Sequence, residues 1–209
     1  GEPQKYPPLA GCTTHIYDTS DYLIPDPANP LVSKSISGGT VSSIRLAPAV
    51  VTDGGGGLSD SLTIVYGTSS IAAPYTTNGY TPGTTTLSLS GSAAGIGLNG
   101  QKDIVALIQE DTNPATNPSY GDSSKKNYKN PTTCSLLQVT CPVSSTGCPA
   151  VLPVPAGRYN MAGGTGLPPF IDGTKLYNLG QLNLVTFRIS GNNLVADVSK
   201  FGVTPDGGA

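Results

Sequence analysis

Glycine and proline set the tightest limit on this chain. Twenty-seven Gly and 19 Pro are spread along its 209 residues. A window of about twelve residues therefore usually contains a breaker, which leaves little room for long helices. Much of the polar content is Ser, Thr and Asn, whose side chains compete with the helix backbone and favour turns and strands. The chain reads as mainly β: an irregular antiparallel sheet or two packed sheets, with long loops and little helix.

Periodicity places the strands. TVSSIRLA (40–47) is the first candidate. SLTIVYG (61–67) sets Leu62, Ile64 and Tyr66 on one face and Thr63 and Val65 on the other. Apolar residues on both faces predict a central strand covered on both sides. An Asp at Leu62 or Ile64 should then unfold the domain, because it would bury an unpaired charge. TTTLSLSG (84–91) alternates cleanly, with Leu87 and Leu89 inward, as a strand with one wet face does. KDIVALIQ (102–109) and CSLLQVT (134–140) are apolar on both faces. KLYNLG (175–180) leads into LVTFRIS (184–190), then Gly191-Asn192 as a two-residue hairpin turn, then NLVADV (193–198). The expected total is seven or eight strands.

One domain accounts for the length. Residues 41–209 form its β-rich body. Residues 1–40, with prolines at 3, 7, 8, 25, 27 and 30, are expected to be an extended segment lying over that body. Tyr6, Tyr17, Tyr22 and Leu23 are its candidate anchors. Residues 111–133 show no periodicity and contain Lys125, Lys126 and Lys129. A loop of that length is a candidate contact surface.

Charge and cysteine bound the function. Charged residues are 11% of the chain and the net charge is −2, so nothing draws it to nucleic acid or an anionic membrane. Four Cys in so uncharged a chain point to an oxidising compartment. A strand over 134–140 would hold Cys134 and Cys141 roughly 23 Å apart, against the roughly 7 Å that a disulfide spans between Cα atoms. PVSSTG between Cys141 and Cys148 closes easily on itself. The favoured pairing is therefore Cys141–Cys148 with Cys12–Cys134; its rival is Cys134–Cys148 with Cys12–Cys141.

No catalytic residues are expected. The single histidine, His15, lies in the proline-flanked N-terminal segment, and no G-x-S-x-G elbow occurs. No cofactor is expected either. TDGGGGLSDSLTIVYG (52–67) lacks the G-K-[ST] ending of a phosphate loop, and a strand follows it where that motif needs a helix. Zinc spacing and the EF-hand pattern are absent, so no metal is expected. Asp53 and Asp60 are the only candidates for holding a cation; capping the glycine turn is the alternative.

Three stretches, in this order, resemble the PilW-type minor pilins of bacterial type IV pili. They are VVTDGGGGLSDSLTIVYG, then DIVALIQ with CSLLQVT, then LYNLGQLNLVTFRISGNNLV. Together they cover about a third of the chain. The resemblance implies a pilin-like head domain in which DIVALIQ and CSLLQVT pair. It implies a structural protein that primes, or is incorporated into, a filament. Its partners would be other major and minor pilins and the pilus assembly machinery. Its place would be the inner membrane and periplasm before assembly and the extracellular pilus afterwards. The family's hydrophobic N-terminal helix is not in the sequence, and Gly1-Glu2-Pro3 reads as a cut after an export and anchoring segment. Two other readings stand beside this one. The first is a secreted adhesin or carbohydrate-binding β-domain using the tyrosine-bearing loops 74–83 and 120–128. The second is a secreted hydrolase with an acidic pair.

Overall fold

The computed structural model describes residues 12–19, 22–26, 29–69, 74–91, 102–110, 131–140, 148–162 and 165–201. These residues are mainly β and contain no helix. No described helix is long and apolar enough to cross a membrane.

The described residues form fourteen strands where the sequence suggested seven or eight. They form four sheets. The largest has six strands: β4 (Thr40–Arg45), β1 (Thr13–Asp18), β10 (Pro131–Thr140), β9 (Lys102–Glu110), β12 (Phe170–Gly180) and β7 (Tyr75–Tyr80), in that order across the sheet. All its pairs are antiparallel except β1 with β10. A second sheet runs β14 (Asn193–Phe201), β13 (Leu182–Ser190), β6 (Ser61–Gly67) and β5 (Ala49–Thr52). Two ribbons complete the fold: β2 (Tyr22–Asp26) with β3 (Asn29–Ile36), and β8 (Thr86–Ser88) with β11 (Val151–Pro153).

The six-stranded sheet is the wall between two cores. β9 and β10 pair as the resemblance implied, with Leu137 opposite Val105 and Leu136 opposite Ala106. Val105, Leu107, Leu137 and Leu176 face one core, closed by Leu87, Leu89, Leu152 and Phe170. Ile104, Ala106, Ile108 and Leu136 face the other, closed by Ile16, Ile36, Ile44, Leu182 and Leu184. Each large side chain buried this way contributes about 1.5–3 kcal/mol. Strands buried on both faces must be apolar on both, which is why DIVALI and CSLLQV carry no clean alternation.

The N-terminal segment enters the sheet rather than lying over it. β1 inserts between β4 and β10, with Thr14 opposite Cys134. Thr14, Ile16 and Asp18 are buried and Tyr17 is half-buried. Tyr6 lies outside the described residues, as do the side chains of Tyr22 and Leu23. Pro25 and Pro30 argued against strands here. In a two-stranded ribbon, however, both strands are edges, where a missing N–H costs no ladder bond.

Cys12 is joined to Cys134, with Cα atoms 6.1 Å apart. This is the favoured pairing of the N-terminal segment with a central strand. Cys148 is disulfide-bonded; Cys141, its expected partner, lies outside the described residues. Beyond β1, the gap beside β10 is filled by an amide. Asn160 Oδ1 accepts from Gln138 N–H (2.9 Å), and Asn160 Nδ2 donates to Gln138 O (2.6 Å) and Pro155 O (2.8 Å). The Asn160 side chain thereby does the work of a strand residue. Arg158 Nε donates to the buried Asp18 carboxylate (2.9 Å), fastening the same loop to the end of β1.

Candidate interaction surface

The four-stranded sheet is the part of the molecule left unfinished. Its register stacks side chains in rows. Val51, Leu62, Phe187 and Ala196 form one row, and Ala49, Ile64 and Val185 form the next. Directly opposed residues share a face, and alternation along β6 and β13 puts both rows on the same face. Tyr66 continues this face at one end and the Ile189–Leu194 pair at the other. None of these side chains is charged. Leu194 is 68% exposed, Val51 58%, Tyr66 48% and Leu62 36%, while Val185 in the second row is buried. Singly exposed apolar residues are ordinary; a contiguous set on one sheet face marks a contact surface.

The opposite face carries the attachment to the core. Val50, Thr63 and Leu184 are buried there. Thr63 Oγ1 and Thr186 Oγ1 lie 2.9 Å apart and satisfy each other. Farther out, Arg188 Nε donates to Asp197 Oδ2 (2.7 Å) in an exposed pair. The expectation for β6 is thus corrected: Thr63, not Leu62, is the side chain turned into the protein. An Asp at Leu62 would enter solvent, and the predicted unfolding does not follow.

The glycine run is the β5–β6 turn. Asp53 Oδ1 accepts from Gly55 N–H (2.8 Å) and Asp60 Oδ1 from Gly54 N–H (3.2 Å). Both candidate cation residues therefore cap the turn. No three metal-ligating side chains gather among the described residues. Gly55, Gly56 and Gly57 take positive φ of 62°, 54° and 85°, which only glycine adopts without strain. Gly54 is needed for another reason: a Cβ there would meet Ser59 O at 2.4 Å.

The other sequence candidates lie apart. His15 is half-buried in β1, with Nδ1 3.1 Å from Cys134 O. Residues 75–80 of the expected 74–83 loop are strand β7, and the Tyr80 ring is buried. The 120–128 loop, Lys125, Lys126, Lys129 and residues 111–130 lie outside the described residues; 131–133 begin β10. An open groove of about 690 Å³ runs between β7, β8 and β12, and residues 78–81 of the expected 74–83 loop help to line it. Asn78, Thr81, Thr84, Thr86, Ser88 and Asp172 give it a polar lining. Its residues come from two stretches, 78–88 and 170–172, far apart in sequence, so no local motif announced the groove.

One carboxyl is shifted inside the fold. Burial pushes Asp103 above the ordinary carboxylate range, and a hydrogen bond from Asn178 Nδ2 (3.1 Å) opposes the shift. It sits among structural groups, with Asn178 Oδ1 accepting from Gly180 N–H (2.8 Å). No family model matches the chain, and no curated protein or solved structure is significantly similar to it.

Proposed function

We propose that this chain is the β-rich head of a pilin-type subunit, a structural and assembly protein that works through protein–protein contacts. The observation that supports this most is the largely apolar face of the β5–β6–β13–β14 sheet, exposed at Val51, Leu62, Tyr66, Ile189 and Leu194. That face is held rigidly by a sheet whose other side is anchored in the core. The sequence resemblance supplies the class: other pilins and the assembly machinery as partners, and the cell envelope and filament as the place. A rigid apolar face suits permanent packing between subunits, because little side-chain ordering is spent on contact.

The native sequence upstream of Gly1 tests the class. This reading expects a short basic leader, a Gly cleavage point and about twenty apolar residues opening the mature chain. An ordinary signal peptide with an A-x-A site would overturn it. The surface has its own test. Val51→Lys with Leu62→Lys should leave the fold intact and abolish incorporation into filaments; incorporation at the normal level would remove the face from the assembly.

A second reading rests on the polar groove between β7 and β12. Its volume falls in the range of small-ligand sites, and its hydroxyls, amide and carboxylate suit a neutral sugar. With the Tyr80 ring buried, the groove would hold sugar through hydrogen bonds and not by stacking. A glycan array that Asp172→Ala silences would favour this reading; an array with no signal counts against it.

A further inference from the structure

The edges of the two large sheets are treated unequally. β7 is covered: Ser90 N–H donates to Thr76 O (2.9 Å), and Thr77 bridges to Leu89. β5 has four residues and lies between Pro48 and the glycine turn. β4 has six residues and ends in the exposed Arg45. β14 has nine residues, no proline and an unbroken register against β13. Proteins ordinarily blunt an exposed edge by shortness, proline, a bulge, a cover or charged side chains. Among the described residues β14 has only the last, at Asp197 and Lys200, and Asp197 is taken up by Arg188 of β13.

We propose that β14 pairs antiparallel with β14 of a second copy of this chain, joining two four-stranded sheets into one of eight. Gly191 and Asn192 are the turn, so Ser190 and Asn193 form the closing hydrogen-bonded pair. Alternation along the ladder then turns the N–H and C=O of Leu194, Ala196 and Val198 outward. These are the groups a second strand would take up.

Charge and pattern choose both the partner and the register. A fully overlapped pairing would set Asp197 directly opposite Asp197 of the second copy, and like charges there are destabilising. A shift of two residues centres the pairing on Ala196. Leu194 then lies opposite Val198, and Asp197 opposite Val195. Both apolar faces fall on the same side. Area points the same way. Four strands about 4.8 Å apart and seven residues long present roughly 400 Å², half of the roughly 800 Å² that each side of a standard interface buries. Two copies joined at β14 present a face of the standard size. The pairing needs only this edge and this face, and it stands whether or not the filament reading holds.

The test uses the whole chain in sedimentation velocity and in oxidative crosslinking of variants that each carry one added cysteine. The wild type should sediment as a concentration-dependent dimer. Ala196→Lys, at an exposed position, should weaken the dimer at least about tenfold with no change in melting temperature. Ala196→Cys should give a reducible covalent dimer. Leu194→Cys should not, because its sulfurs would stand about 13 Å apart along the strand, beyond disulfide reach. If Ala196→Lys perturbs folding, the cysteine pair decides alone. A wild type that stays monomeric throughout its soluble range overturns the proposal. So does a dimer that a folded Ala196→Lys leaves intact, or crosslinking through Leu194→Cys as efficient as through Ala196→Cys.

Discussion

As strings, DIVALI in β9 and LTIVY in β6 are close to interchangeable. Both are short, branched and apolar on alternate and intervening positions. In the protein they meet different fates. Every residue from Asp103 to Ile108 is buried, because the six-stranded sheet has a core on each side. In β6 only Thr63 is fully buried, while Leu62 and Tyr66 are exposed. Apolar content on both faces of a strand thus says that each face wants a neighbour; it does not say that the neighbour belongs to the same chain. The difference separates a sheet built for folding from a sheet with one face available for association.

Paired charge substitutions put the most weight on this contrast. Leu137→Asp, at a fully buried position of β10, should prevent folding, since an isolated buried carboxylate costs more than a domain's margin of roughly 5–15 kcal/mol. Leu62→Asp should cost less than about 1 kcal/mol. Circular dichroism and thermal melts of the two would collapse the contrast if they unfolded alike. Next in size is the crosslink. Replacing Cys12 and Cys134 by Ala opens a loop spanning 122 residues and should cost about 5 kcal/mol in the chain-entropy model. Amide exchange should accelerate first in β1 and β10, leaving β6 and β13 slower to respond; the reverse order would place the weaker sheet on the wrong side.

A smaller effect follows from Asp103. Its folded pKa is raised by burial, so the native state holds its proton to higher pH than the unfolded chain. Stability from this group is intact below the ordinary carboxylate pKa and falls as pH rises toward the raised value. Asp103→Asn, which keeps an acceptor for Asn178, should flatten that part of the stability–pH curve; an unchanged curve would refute the assignment. The smallest change expected is at Ser135, whose Oγ is buried without a hydrogen-bond partner. Ser135→Ala should raise stability by up to about 1 kcal/mol, seen as a melting temperature higher by about 2–4 °C.

What could be read in advance divides along physical lines. The fold class followed from breakers and strand periods, and SLTIVYG was placed to the residue as β6. Its orientation was not legible. Burying Thr63 depends on Thr186, whose hydroxyl lies 123 positions away in sequence, and a local pattern favours Leu over Thr every time. β1 was missed because Ile16 is its only aliphatic residue, and its place depends on β10, Cys134 and Arg158. β2 and β3 were hidden by their prolines. The long, regular edge of β14 could not be seen from NLVADV alone, since an edge exists only once the order of strands is known.

That order also has a consequence in time. β1 sits between β4 and β10, and β12 sits between β9 and β7. A chain emerging from the ribosome can close its N-terminal ribbon early, but β1 must wait for residues 131–140, and β7 and β9 stay apart until 170–180 have been made. The central sheet is therefore completed only once residues 170–180 have been made. Contacts so distant in sequence make for slow folding. Until the last strands arrive, β9 and β10 expose their apolar faces to whatever else is present. In a chain arranged this way, β1 and β9 lack their full set of partners until β10 and β12 have been made, so residues 1–130 do not contain a complete central sheet.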